Sequence, residues 1–354
     1  MSNILQTGLN TDLDQSDMKG AITSFPDQIG ESFAIMEKWS PDKEYTDIKN
    51  IIILGMGGSA IGGDVVFVLE NESLEVPFQV VRGYTCPSWV NENTLVICSS
   101  YSGNTEETLS ALDHALEKEA QICGITTGGE LAERLHSLHK DVVKIPAGLQ
   151  PRAALAFSFV PMIKLLEKAG IISSSLDDWI QEAVHTLKEV RKTYSKDRDT
   201  NPVYHLAERV KERIPVIYAD SSTLGVAAVR LKGQLAENSK ILAWYNELPE
   251  LNHNEIVGWE NNADIFQRLF VLWLMDRDDH ERVQHRQEIT RTLLQEAGVD
   301  QIAISVPGNL FQERFLHMIH YGDWLSYWCA ILHGTDPSPV VKIAHLKQEL
   351  ADRK

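Results

Sequence analysis

Positive charge is scarce in this chain: its 354 residues carry 33 Lys+Arg against 50 Asp+Glu, a formal net charge of −17 at pH 7. No dense Lys/Arg run occurs, so the basic face that neutralises the phosphates of a nucleic acid has no source. The same deficit works against an anionic membrane leaflet. Apolar runs are short, none approaching the ~18 residues of a membrane span, and the polar first residues give no sign of a secretory leader. Cysteine is sparse: Cys86, Cys98, Cys123 and Cys329 lie far apart, without C-x-x-C or other metal-ligand spacing, and read as reduced, mostly buried thiols. What these absences leave is a soluble cytoplasmic protein with no nucleic-acid or membrane partner.

What is present is ordinary globular material, 43% hydrophobic and 8% aromatic, in a chain long enough for about two domains. Residues up to about Asp47 read as helical and polar, with an amphipathic stretch from Pro26 to Trp39. Ile51–Leu54 is then an apolar β-branched run ending in glycines, the pattern of a buried parallel strand. Phe78–Val81, Thr94–Cys98, Gln121–Ile125 and Asp141–Ile145 repeat it, alternating with helical stretches at Thr105–Lys118 and Glu130–His139. Alternating strands and helices predict a doubly wound α/β unit with a parallel sheet. An apolar helix over Arg152–Ala169 closes it, and a charged amphipathic helix follows over Asp177–Tyr194. A strand at Pro215–Tyr218, with further apolar runs at Ile241–Trp244, Ala263–Leu274 and Ala303–Val306, predicts a second α/β unit. The expected organisation is a helical segment 1–47, a first α/β domain 48–172, a helical bridge 173–212 and a second α/β domain 213–354.

Two loops carry chemistry. Gly55-Met56-Gly57-Gly58-Ser59-Ala60 follows the first strand, where glycines allow close backbone approach and the next helix offers N–H groups to an anion. Positions 55, 57 and 60 satisfy the dinucleotide pattern G-x-G-x-x-A. The second strand, however, runs into Arg82-Gly83-Tyr84, without the acid that would hold a ribose. Gly62-Gly63-Asp64 stands where a P-loop needs Lys-Ser/Thr. The second loop, Ser99-Ser100-Tyr101-Ser102-Gly103-Asn104-Thr105, brings Ser100, Ser102 and Thr105 to a helix start as an uncharged phosphate cradle. The bland reading is capping by Asn104 with Glu107, but capping has no use for two serines and a glycine. His317 and His320 stand at helical spacing without a third ligand, and Trp324 and Trp328 share a helical face suited to packing.

Together the two loops resemble those of the SIS (sugar isomerase) domain. The chain from Ile51 onward resembles the bifunctional phosphoglucose/phosphomannose isomerase branch of the phosphoglucose isomerase superfamily. The resemblance rests also on Gln150-Pro151-Arg152, Ala236-Glu237-Asn238, Asn252-His253-Asn254-Glu255 and Leu346-Lys347. It implies two flavodoxin-like SIS domains, a homodimer with a shared site, sugar-phosphate substrates, and no metal or cofactor. It also implies roles: Gly58, Ser59, Ser100, Ser102 and Thr105 bind phosphate, and Glu237 is the general base between C1 and C2. His253 and Lys347 open the ring, Lys342 competing with Lys347, and Arg152 stabilises the enediolate. An Arg leading an apolar helix is no use as a cap, since the macrodipole favours acids there. The residue that permits C2–C3 rotation stays open between Thr335 and Ser338. The alternatives are a non-catalytic sugar-phosphate sensor, a phosphoglucose-only isomerase, and a nucleotide-dependent oxidoreductase.

Overall fold

A strand of four consecutive apolar residues has no polar face to offer water, and Ile51–Leu54 is fully buried in the interior of a sheet. The computed structural model describes residues 13–198 and 200–353. Two helices come first, α1 (Met18–Thr23) and α2 (Phe25–Lys38). The alternating series follows: β1 (Asn50–Leu54), α3 (Gly57–Glu70), β2 (Phe78–Val81), β3 (Thr94–Ser99), α4 (Glu106–Glu117), β4 (Gln121–Thr126), α5 (Gly129–Ser137) and β5 (Asp141–Lys144). All five strands are parallel, in the order β2-β1-β3-β4-β5. The direction of winding reverses between β1 and β3, and the carboxyl ends of those strands open the crevice where α/β sheets bind ligands. Ile52, Leu54, Val96 and Cys98 pack on Leu112 and Leu135 of α4 and α5. Ile53 points the other way, toward Gly63 of α3.

After β5 come α6 (Ala156–Lys168) and α7 (Asp177–Tyr194). The second series is α8 (Pro202–Val210), β6 (Ile214–Asp220), α9 (Gly225–Asn238), β7 (Trp244–Leu248), α10 (Ala263–Phe266), β8 (Leu269–Leu274), α11 (Glu281–Glu296), β9 (Gln301–Ile304), α12 (Phe311–Leu332) and α13 (Val341–Ala351). Its four strands are parallel, in the order β7-β6-β8-β9. The chain forms two compact units: one spans Ser24–Lys188, and the other gathers α1 with the residues from Glu189 onward. Both are α/β with an all-parallel sheet, as the alternation of strands and helices predicts. In the first unit α2 packs on α6. The segment after α2 is tied to β5, with Trp39 Nε1 donating to the Val142 carbonyl (3.1 Å) and Tyr45 Oη to Asp141 Oδ2 (2.7 Å).

Three runs fold differently from their sequence reading. Arg152–Ala169 is not one helix: Pro151–Ala153 form a separate 3-10 turn, closed by Ala154 N donating to the Pro151 carbonyl, and α6 begins at Ala156. The apolar run Ile241–Trp244 only leads into β7, whose residues are Trp244–Leu248. Ala263–Leu274 divides into α10 and β8, because Gln267 and Arg268 interrupt its apolar pattern.

In the second unit α12 is buried along nearly its whole length and packs on α8, α9 and α1. His317 and His320 lie inside it, engaged by Tyr194 Oη (2.8 Å) and Trp324 Nε1 (3.0 Å) respectively. No cluster among the described residues could hold a metal, and no described helix is long and apolar enough to cross a membrane.

Burial pushes the His320 pKa down to about 3, helped by the charges of His317, Arg191 and Arg230. An unfolded histidine titrates near 6.5. Between those values the unfolded chain binds the extra proton, so this contribution is complete above pH 6.5 and is lost as pH falls. Urea titrations should show about 2 kcal/mol less stability at pH 5 than at pH 7 from this group. His320→Gln, which keeps an acceptor for Trp324, should flatten most of that slope; an unchanged slope would contradict the assignment.

Candidate active site

The crevice at the carboxyl ends of β1 and β3 is built by backbone compression. A Cβ on Gly58 would lie 2.8 Å from the Pro151 carbonyl oxygen and 3.5 Å from Arg152 Cα, so only glycine lets α3 start against the Pro151–Ala153 turn. That contact sets buried Arg152 beside the first turn of α3. Ser59, the next residue, accepts from Tyr101 N at its Oγ (3.3 Å), joining the glycine loop to the serine loop. Tyr101 Oη in turn accepts from Leu149 N (3.0 Å), bracing the segment before Arg152.

The serine loop is held just as closely. Ser100 is buried, its Oγ lies 2.8 Å from Thr105 Oγ1, and it accepts from Gly103 N at 3.1 Å. Gly103 has φ +73°, and a Cβ there would fall 1.8 Å from the Gly128 carbonyl oxygen. Ser102 is exposed, its Oγ accepting from Asn104 N (3.2 Å). Asn104 does not cap α4: its Oδ1 accepts from Glu130 N in the first turn of α5 (3.0 Å). Thr105 occupies the N-cap position of α4 and makes no side-chain bond to that helix. The capping reading of the serine motif therefore fails. Gly58, Ser59, Ser100, Ser102, Thr105 and Arg152 come together in the first unit, where hydroxyls, the start of two helices and one guanidinium can receive a phosphorylated ligand.

A nucleotide finds less support here. Arg82, which closes β2 where a ribose-binding acid would stand, is ion-paired with Asp64 of α3. Burial raises the Asp64 pKa, and the Arg82 charge opposes the shift.

The corresponding crevice of the second unit has the opposite charge. β6 ends at Asp220, whose Oδ1 accepts from Ser222 N (2.9 Å) and Ser222 Oγ (2.8 Å) in the loop that follows. A Cβ on Gly225, at the start of α9, would meet the Glu247 carboxylate at 2.6 Å. Thr223 donates to Asp279. Burial first, and then the Asp220 charge, raises the pKa of Glu247; the same two causes act on Asp279, offset by its hydrogen bonds. Three carboxylates around this helix start repel a phosphate, so of the two crevices only the first suits one.

The second unit holds the other candidates on three separate elements. Glu237, half-buried, is the penultimate residue of α9. A polar seam fixes that helix: Arg230 and Gln234 bind Asp323 of α12 (2.8 and 2.7 Å), and Asn238 donates to Ser326 Oγ (2.9 Å). Lys240, which the sequence did not single out, donates to the Glu237 carbonyl (2.6 Å) and to the Pro337 carbonyl (3.1 Å). It thereby joins the end of α9 to the turn containing Thr335 and buried Ser338. His253 ends a 3-10 turn, Glu250–His253, after the cis Leu248–Pro249 bond. Lys347 lies on α13, which has no buried residue, as does Lys342. The side chains of His253 and Lys347 are exposed, and the structure does not join them to each other. Lys240 gave no local signal in the sequence, because its partners are carbonyls brought to it by the fold.

A parallel sheet with a hydroxyl-lined loop at its switch point makes the first unit a SIS domain: a family model described as SIS domain matches residues 44–163, and one described as bacterial phospho-glucose isomerase C-terminal SIS domain matches residues 199–350. The bifunctional phosphoglucose/phosphomannose isomerase of Caldicellulosiruptor bescii is 42% identical over 94% of this chain and 99% of its own length. The enzyme of the same name from Aquifex aeolicus is 36% identical over 91% and 97%. This chain belongs to the bifunctional phosphoglucose/phosphomannose isomerase family. The solved tagatose-6-phosphate ketose/aldose isomerase of Escherichia coli shares the fold, with a TM-score of 0.64 at 15% identity, covering 96% of this chain and 99% of that one.

Gly103→Ala should strain the left-handed backbone and collide with the Gly128 carbonyl. We expect loss of fructose 6-phosphate binding by at least about tenfold in calorimetry, with the remaining fold intact by circular dichroism. Unchanged binding would show that the serine loop does not hold the ligand.

Proposed function

We propose that this chain is an aldose–ketose isomerase that interconverts glucose 6-phosphate and mannose 6-phosphate with fructose 6-phosphate. The observation that carries the reading is the braced loop Ser99–Thr105 beside Ser59 and Arg152, in a chain similar over nearly its whole length to isomerases of that specificity. The 6-phosphate docks on Gly58, Ser59, Ser100, Ser102 and Thr105. His253 and Lys347 open the ring, one group protonating the ring oxygen while the anomeric hydroxyl loses its proton; histidine suits this because it both gives and takes protons near neutrality. Glu237 removes the C2 proton of the open aldose and returns it to C1 through a cis-enediolate. Arg152 stabilises the enediolate oxygens as their charge develops. Rotation about C2–C3 lets either face of the enediolate meet Glu237, so both epimers are substrates. The reaction needs no metal or redox cofactor, since C1 is reduced as C2 is oxidised within the same sugar, and the proton passes through the Glu237 carboxyl, where it can exchange with solvent.

The functional assembly in this reading is a homodimer whose subunits share the site. Cytoplasmic action is supported by the four free thiols, which suit a reducing compartment.

The test is mannose 6-phosphate in deuterated water with no added cofactor. Fructose 6-phosphate carrying deuterium at C1 is the expected product, and absence of turnover would sink the reading. Glu237→Gln should lower kcat by about 10³-fold, the usual scale for a lost general base, while retaining sugar-phosphate affinity; near-normal turnover would exclude Glu237 as the base.

A further inference from the structure

His253 stands exposed on a polar turn, yet the backbone on either side of it is anchored to three different elements. On the upstream side, Asn252 Nδ2 donates to Thr290 Oγ1 of α11 (2.9 Å), and Asn252 Oδ1 accepts from Arg286 Nη1 (3.4 Å). Across the turn, Asn254 Nδ2 donates to Glu250 Oε1 (2.8 Å). On the downstream side, the Glu255 carboxylate accepts from Tyr218 Oη of β6 and from Asn246 Nδ2 of β7 (2.6 Å). Tyr218 is itself immobilised, fully buried and packed edge-to-face on Trp273 at 5.0 Å between ring centroids.

An exposed Asn-His-Asn-Glu turn needs no such anchors to be soluble. Its carboxylate would ordinarily sit in water, where Glu is found on most surfaces. Here Glu255 is drawn under the turn and half-buried, taking two hydrogen bonds to a charged acceptor, the stronger kind. Burial, then the Glu255 charge, raises the Tyr218 pKa, so the phenol remains a donor across the working range. The result is a histidine presented outward on a fixed base.

We propose that Glu255, held by Tyr218 and Asn246, is a positioning residue that sets the His253 imidazole for proton transfer in ring opening. The inference rests on the reading of His253 as the ring-opening group. Effective molarity depends steeply on placement, and displacement by about 1 Å can cost on the order of 10²-fold in rate. A loosened turn therefore slows the step that His253 serves and leaves the later enediolate step, served by Glu237, untouched.

The experiment compares a ring-forming substrate with one that cannot close. 5-Deoxyfructose 6-phosphate has no O5 and its O6 is esterified, so it exists as the open-chain ketose; enediolate formation is read as exchange of its C1 proton with deuterated solvent. Glu255→Gln keeps the volume but opposes one donor with its amide. We expect kcat on glucose 6-phosphate to fall by about tenfold or more with KM nearly unchanged, while exchange into the open-chain ketose stays within about twofold. Tyr218→Phe, which keeps the carboxylate and the packing, should act in the same direction more weakly, and keeps the test open if Glu255→Gln does not fold. Equal losses on both compounds in these variants, alongside a ring-selective loss in His253→Ala, would overturn the positioning role and leave the isomerase reading standing. Equal losses in His253→Ala itself would remove the ring-opening role, and the proposal with it.

Discussion

Holding a phosphate dianion in a protein of net charge −17 requires that the charge be met locally, by donors that cannot relax away from it. Such local recognition depends on the rigidity of one loop. Hydroxyls and backbone N–H groups substitute for a basic groove only when already aimed, because each would otherwise spend its interaction on ordering itself. At Ser99–Thr105 the aim is fixed by the left-handed Gly103 under the Gly128 carbonyl, by the Ser100–Thr105 hydroxyl pair and by the cross-bond from Asn104 to the start of α5. Gly58 does the same for the neighbouring loop by admitting the Pro151 carbonyl.

The two units use one architecture with opposite electrostatics. Each places a small-residue loop at the carboxyl end of its first strand, where the winding direction reverses. In the first the loop is lined with hydroxyls, with Arg152 near; in the second it is lined with Asp220, Glu247 and Asp279. In the proposed mechanism the second unit supplies the proton-transfer groups, and its packing stiffens the helix that carries Glu237. The buried Arg230–Asp323 pair holds α9 and so Glu237. Removing one partner of such a pair typically costs about 3–5 kcal/mol, because the other is left charged and buried.

Much of this was legible in the sequence where a local rule decides the outcome. Five apolar runs gave the five strands of the first sheet, since a buried parallel strand must be apolar on both faces. The glycine and serine loops were legible as binding loops because both follow such strands. Arg152–Ala169 was not, because its break comes from the contact between Gly58 and the Pro151 carbonyl, which lies about a hundred residues away in sequence. β7 was misplaced because its residues, Trp-Tyr-Asn-Glu-Leu, are half exposed and carry a weak pattern. Lys240 escaped notice, and Glu255 was quoted only as part of the Asn-His-Asn-Glu motif with no role of its own, because their partners, Pro337 and Tyr218, are fixed by tertiary structure. Glu237, His253 and Lys347 were found through family resemblance, as no local pattern distinguishes a catalytic surface carboxylate from a solvated one.

In the proposed isomerase, phosphate is received by the hydroxyl-lined crevice and refused by the carboxylate-lined one. Hydrogen–deuterium exchange of the intact protein, with and without saturating fructose 6-phosphate, tests this most directly. Slowed exchange is expected in residues 57–60 and 100–106, with no change in residues 221–226. Protection confined to residues 221–226, or none in either loop, would contradict it.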